Sequence, residues 1–284
     1  MMHMGLLTNS LTGASVKDLH EIAGWAADHQ ITELEIGPAI PMDEKLLGDV
    51  LGKGRVKIGA MIYCRNYISE DEAVAKEHSA ALKARIGFAG DMGIGKVVCS
   101  AGQRKESVEG LDFRPEKSMD ASVAFFSEMV ELAEKKNVKL CFEMCPWMWN
   151  IACAPNVWDM LFDRIKSDKL GLCYDPSHLV WQMIDPYRVL KEYRGKIFHV
   201  HGKDTEIDRE KLSRYGVLQN VKWWRHRLPG LGELDWRRIV DILYEIGYDG
   251  AISIEHEDPV WEGSEEKVKT GILISRDHIA RFLV

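Results

Sequence analysis

Apolar and polar positions along the chain fall into two alternating regimes. Short runs rich in Val, Ile, Leu and Cys occur at Met4–Thr8, Ile31–Ile36, Val56–Ile62, Lys96–Ser100, Val138–Met144, Gly171–Tyr174, Ile197–Val200 and Ala251–Ile254. Such compact, nearly unbroken apolar runs suit strands buried on both faces. Longer amphipathic stretches separate them and predict helices over Val16–His29, Glu70–Phe88, Ser118–Lys136, Pro155–Lys166, Pro186–Tyr193, Asp235–Ile246 and Glu265–Phe282. Glu70–Phe88 is rich in alanine, a strong helix former. Ser118–Lys136 sets Val123, Phe126, Met129, Val130 and Leu132 at helical spacing. Ser15 and Asp235 stand where N-caps belong. Gly247 and Gly250 bracket the turn into the last strand.

Eight strands alternating with helices imply a parallel sheet, and eight such units suggest a closed (β/α)8 TIM barrel. The rival is an open, doubly wound sheet, which usually carries a Gly-rich turn after its first strand. Here the first strand runs into Thr8-Asn9-Ser10-Leu11-Thr12-Gly13-Ala14-Ser15, without that signature. The chain of 284 residues contains no low-complexity tract or linker, so a single domain over 1–284 is expected. One connection is long. The stretch 205–234 exceeds the roughly 12–15 residues that structureless loops rarely pass. It carries Trp223-Trp224-Arg225-His226-Arg227, which argues for an ordered flap or a lid over the barrel mouth.

Charge and cysteine usage narrow the class. With 37 basic and 44 acidic residues the net charge is −7, which disfavours a nucleic-acid partner held through phosphates. No apolar run approaches the roughly 18–20 residues of a membrane helix. Met1-Met2-His3-Met4-Gly5 has neither a basic n-region nor a long apolar stretch. Cys64, Cys99, Cys141, Cys145, Cys153 and Cys173 form no CxxC pair and mostly sit in apolar runs. They read as thiols in a reducing compartment, so a cytoplasmic location is expected.

The chemistry gathers at the ends of the last four strands. These read Phe142-Glu143-Met144-Cys145-Pro146-Trp147, Tyr174-Asp175-Pro176-Ser177-His178, His199-Val200-His201-Gly202-Lys203-Asp204 and Ile254-Glu255-His256-Glu257-Asp258-Pro259. In a parallel barrel all these ends open on one face. Burying several carboxylates together without a counter-charge is very costly, and a cation removes the difficulty. Glu143, Asp175, His201 and Glu255 would supply three carboxylates and an imidazole. That set suits Mn²⁺ or Mg²⁺, with Co²⁺, Fe²⁺ or Zn²⁺ compatible, and its lack of thiolate disfavours a structural zinc site. Taken singly, each residue has a plainer role: Asp175 could simply cap the next helix. His199 and His201 face the same side of a strand, His199 the deeper and the better suited to core packing. Lys203 could contact a substrate oxygen, or pair with Asp204 or Glu206 at the rim. Trp147, or Trp223 and Trp224, could stack on the apolar face of a sugar.

These motifs, together with Pro229-Gly230-Leu231-Gly232-Glu233-Leu234-Asp235-Trp236 and Gly247-Tyr248-Asp249-Gly250 leading into Ile252-Ser253-Ile254-Glu255, resemble the xylose-isomerase-like TIM-barrel superfamily, in its sugar phosphate isomerase/epimerase branch. The resemblance runs from Gly5 to the last helix. It implies one divalent metal on Glu143, Asp175, His201 and Glu255, and it prefers His201 over His199. It implies that His178 touches a substrate oxygen, and it sets Arg227 where related epimerases place a substrate-contacting arginine. It further implies proton transfer next to a carbonyl, with Glu143 and Glu255 as the two bases on opposite faces of an enediolate. The expected activity is that of a metal-dependent isomerase or epimerase on a ketose or keto-sugar, with a small-molecule sugar as partner and a homo-oligomer compatible with the family. The alternative is a lyase or dehydratase that expels a leaving group from a keto-inositol or 3-keto-glycoside. An endonuclease-IV-type nuclease would need histidines at the ends of strands two and three, where Leu34-Glu35-Ile36-Gly37 and Ile62-Tyr63-Cys64-Arg65 supply none. A non-catalytic sugar-binding barrel is the remaining reading.

Overall fold

A computed structural model describes residues 1–284 except 110, 111, 147 and 148. Eight parallel strands close into a barrel: β1 (His3–Leu7), β2 (Glu33–Ile36), β3 (Lys57–Ile62), β4 (Lys96–Cys99), β5 (Lys139–Glu143), β6 (Leu170–Tyr174), β7 (Ile197–Gly202) and β8 (Ala251–Ile254). Each strand pairs with its neighbour in sequence, and β8 closes on β1 through His3↔Ala251 to Leu6↔Ile254. The expected (β/α)8 fold is therefore present as a single barrel domain. Among the described residues, no helix is long and apolar enough to cross a membrane.

The outward faces of the strands and the inward faces of the helices form one continuous core. Trp158, Trp236, Phe126, Phe142 and Tyr174 are its largest fully buried members. Phe126 meets Phe142 edge-on at 4.7 Å, joining the helix Glu116–Lys136 to β5. The interior of the barrel differs from this shell. Glu33, Glu35, His199 and His201 are all buried there, beside a separate small apolar cluster that includes Leu7, Ile62, Val98 and Cys141.

Two register shifts set which residues point inward. Between β2 and β3 the pairing passes from Leu34↔Ile58 to Glu35↔Ala60, leaving Gly59 unpaired. Between β6 and β7 it passes from Leu172↔Ile197 to Cys173↔His199, leaving Phe198 unpaired. Such irregularities re-aim the side chains that follow them. Gly171 serves the second one. A Cβ there would lie 2.5 Å from the Lys196 carbonyl oxygen and from the Phe198 ring. Gly171→Ala is therefore expected to destabilise the fold by about 1–3 kcal/mol, read as a lower urea midpoint at unchanged m-value.

Several boundaries differ from the sequence reading. β7 continues two residues past Val200, because His201 and Gly202 still pair with Ser253 and Ile254. Asp18, not Ser15, caps the first long helix, accepting from the His20 amide at 2.8 Å. Ser15 instead occupies a left-handed turn position with φ 74°. Asp235 caps as expected, accepting from Arg238 N at 3.1 Å. The 205–234 connection is ordered. It opens with an antiparallel ribbon, Asp204–Ile207 against Trp224–Arg227, enclosing a short helix at Arg209–Tyr215. Trp224 stacks on Trp181 of the helix after β6, with centroids 4.8 Å apart and planes 4° from parallel. All six cysteines are thiols, five of them buried.

Candidate functional site

The C-terminal ends of β5, β6, β7 and β8 converge on one cluster. His201 Nδ1 lies 2.9 Å from Glu143 Oε2, 3.1 Å from Glu255 Oε2 and 3.9 Å from Asp175 Oδ2. The structure thus brings together Glu143, Asp175, His201 and Glu255, four positions drawn from four separate strands. Potential ligand atoms of Asp175, His201 and Glu255 lie within 4.8 Å of one another, as do those of Glu143, Asp175 and His178.

Asp175 fills both of the roles its motif suggested. Its Oδ1 accepts from the Ser177 amide at 2.9 Å and caps the helix Pro176–Trp181. That bond fixes the carboxylate so that Oδ2 turns into the cluster. Glu143 is held similarly: its Oε1 accepts from the Met144 amide at 3.0 Å. Among the described residues Glu143 Oε2, Asp175 Oδ2 and His201 Nδ1 are buried and, beyond their charge contacts with one another and with Lys203, make no hydrogen bond of good geometry. Buried polar atoms are rarely left so, and three converging ones call for a shared partner. A divalent cation fits this set of oxygen and imidazole donors. Cys173 is close by, its sulfur within 4.8 Å of ligand atoms of Glu143 and His201, and burial pushes its thiol well above the ordinary value.

Lys203 is the second centre of charge. Its ammonium is buried and lies 2.7 Å from Glu255 Oε2, 2.9 Å from Asp175 Oδ2 and 3.0 Å from Glu257 Oε2. Burial alone would discharge it, but these carboxylates outweigh that and hold its pKa well above the ordinary lysine value. The rim partners suggested by the sequence are occupied elsewhere. Asp204 accepts from the amides of Thr205, Gly230 and Leu234 and from Trp236 Nε1, and so organises the 229–236 turn. Glu206 pairs with Arg225 and Arg227. For Glu257, burial is outweighed by Lys203 and His226, and its carboxyl falls to about 2. His178 sits with Nε2 3.3 Å from Lys203 Nζ, and burial together with Lys203 lowers its pKa. Its ring stands at the pocket wall, with Nε2 also 3.4 Å from Asp175 Oδ2.

A cavity of about 490 Å³ opens over the cluster, lined among others by Glu143, His178, Lys203, Trp224, Glu255 and Glu257. The ribbon contributes Trp224 and His226 to this wall. Alternation along a strand sends Arg225 and Arg227 to the other side. Arg227 is held there by Asp258 at 2.9 Å and Glu206 at 2.8 Å, so it is not brought to the cavity. Trp147 lies outside the described residues.

The sequence reading missed two participants. His226 lies beside the predicted Arg227, and strand alternation exchanges them once the ribbon's register is known. Glu35, on β2, lies beneath the cluster, where its Oε2 is 2.8 Å from His199 Nε2 and 3.0 Å from His201 Nε2. An inward polar residue in an apolar strand was the available signal.

Comparison with known proteins agrees with this architecture. The chain is 26% identical over 238 residues to the inosose dehydratase of Geobacillus thermodenitrificans, covering 79% of this chain and 78% of that protein. Its fold matches a crystal structure of the IOLI protein with a binding zinc atom, at a TM-score of 0.75, 19% identity and 99% coverage of each chain. It also matches L-ribulose 3-epimerase at a TM-score of 0.72 and 19% identity, covering 100% of this chain and 93% of that one. The model of the xylose isomerase-like TIM barrel family matches residues 15–278, and the chain belongs to that family.

Proposed function

We propose that the protein is a divalent-metal-dependent dehydratase that eliminates water from a keto-cyclitol or a related keto-sugar. The isomerase or epimerase expectation becomes the second reading, because curated relatives similar over most of the chain are inosose dehydratases. The observation that carries the choice is an asymmetry between the two glutamates. Both glutamates face His201 Nδ1, at 2.9 and 3.1 Å, but among the described residues Glu255 alone of the two also accepts from the Lys203 ammonium, at 2.7 Å. Epimerisation returns a proton to the same carbon from the opposite face. Elimination needs one base and one acid.

In this reading Glu143, Asp175, His201 and Glu255 hold the cation, which when bound supplies Lewis-acid polarisation of a carbonyl. Glu143 takes the proton on the carbon next to that carbonyl. Its ligand role lowers its basicity, and close placement offsets much of that loss. The electron pair shifts toward the carbonyl, then forms the new double bond as the β-carbon–oxygen bond breaks. Lys203 gives a proton to the departing hydroxyl, which leaves as water. His178 orients a substrate oxygen, and Trp224 and His226 form the wall against the ring. Among the described residues no Gly-rich phosphate cradle lies beside the cluster, which favours an unphosphorylated substrate.

The test is incubation with an inosose and Mn²⁺, Co²⁺ or Zn²⁺, followed by mass spectrometry. Loss of one water from the substrate supports the dehydratase. A product of unchanged mass and inverted configuration would establish the epimerase instead.

A further inference from the structure

The buried carboxylate on β2 has a geometry that constrains the protons around it. Glu35 is fully buried, and a single oxygen, Oε2, meets both His199 Nε2 and His201 Nε2. A carboxylate oxygen can only accept. Both histidines must therefore carry a hydrogen on Nε2 to make these bonds. The remaining ring nitrogen of His201, Nδ1, then faces Glu143 and Glu255. Two-residue alternation puts His199 and His201 on one side of β7, and Glu35 of β2 meets both across the barrel interior.

Resting on the metal-site reading above, we propose that Glu35 is a positioning residue for His201. By accepting from Nε2–H it fixes the ring so that Nδ1 faces the three carboxylates and is the nitrogen left to ligate a cation held among them, and it uses His199 as a second anchor on the same oxygen. The cation affinity at the barrel mouth would then depend on a residue of β2 that does not line the cavity. A hydrogen-bonded carboxylate behind a ligating imidazole orients the ring and raises its basicity, and loss of such a partner typically lowers metal affinity by 10–100-fold.

Glu33 provides the internal comparison. It is a buried carboxylate on the same inward face of β2, two residues earlier, and it pairs with His3 and Lys96 rather than with His201. A general effect of negative charge inside the barrel would be shared by both glutamates. An effect of positioning belongs to Glu35 alone.

The experiment is Zn²⁺ titration against a competing chelator, with the fold of each variant checked by circular dichroism. Glu35→Leu is expected to weaken Zn²⁺ by about 10–100-fold. Glu35→Gln, which keeps an oxygen acceptor, should recover part of that loss, and Glu33→Gln should leave the affinity unchanged. Wild-type affinity in Glu35→Leu, an equal loss in Glu33→Gln, or no recovery in Glu35→Gln would each overturn the proposal. If Glu35→Leu does not fold, long-range ¹H–¹⁵N correlation on Zn²⁺-loaded wild-type protein decides. A His201 hydrogen on Nε2 supports the assignment, and one on Nδ1 refutes it. Failure of wild-type protein to bind Zn²⁺ would instead remove the metal-site reading on which the proposal stands.

Discussion

Replacing Glu143 with Gln is expected to leave a folded barrel and to remove both proton abstraction and turnover. The substitution keeps the shape of the side chain and its hydrogen bond from the Met144 amide. It removes the carboxylate that accepts the substrate proton. General-base catalysis typically contributes about 10²–10⁴-fold, so a loss of at least that size is expected. Because the amide is also a poorer cation ligand, the loss should lie toward the upper end. Two readouts separate these effects. Exchange of the α-proton with deuterated solvent reports the base directly, and Zn²⁺ affinity reports the ligand. Substantial exchange in a Glu143→Gln variant that still binds Zn²⁺ would show that another group takes the proton.

Lys203→Met separates the two halves of the proposed reaction. Lys203 is buried and faces three carboxylates within 3.0 Å, and Met fills a similar volume without charge. Removing one partner from a buried charge cluster typically costs about 3–5 kcal/mol. That loss should be largest in metal-free protein and should shrink when Zn²⁺ is added, because the cation then supplies the missing positive charge. Urea denaturation with and without the metal measures it. Catalytically, the variant keeps its base and loses its acid. It should still exchange the α-proton while water elimination collapses. Elimination at the wild-type rate would assign the acid elsewhere, with His178 the next group to test.

The strands and their order were legible because a buried parallel sheet writes itself as short apolar runs, and because polar residues at the ends of four runs stood out against them. Where the reading failed, the cause was pairing. The end of β7 looked like loop because Gly202 and Lys203 follow His201, yet hydrogen bonding to β8 carries the strand on through Gly202. Arg227 and His226 exchanged places for the same reason. Facing depends on how Trp224–Arg227 registers against Asp204–Ile207, and that register is a contact between distant segments. Glu35 alternates plainly with Leu34 and Ile36; what stayed hidden was its role, because its partners His199 and His201 lie 164 and 166 residues away. Asp175 looked ambiguous between capping and ligation because its two oxygens divide those tasks.

The central claim is that four side chains from β5 to β8 hold one divalent cation on which an elimination depends. Its most direct test is metal content by mass spectrometry on gently purified protein, compared with Asp175→Asn and His201→Ala variants and followed by an inosose assay on each. The account predicts about one divalent ion per chain in the wild type, as expected for a single catalytic site, with metal and water elimination lost together in both variants. Wild-type protein that eliminates water after exhaustive chelation, or variants that keep turnover without the metal, would contradict it.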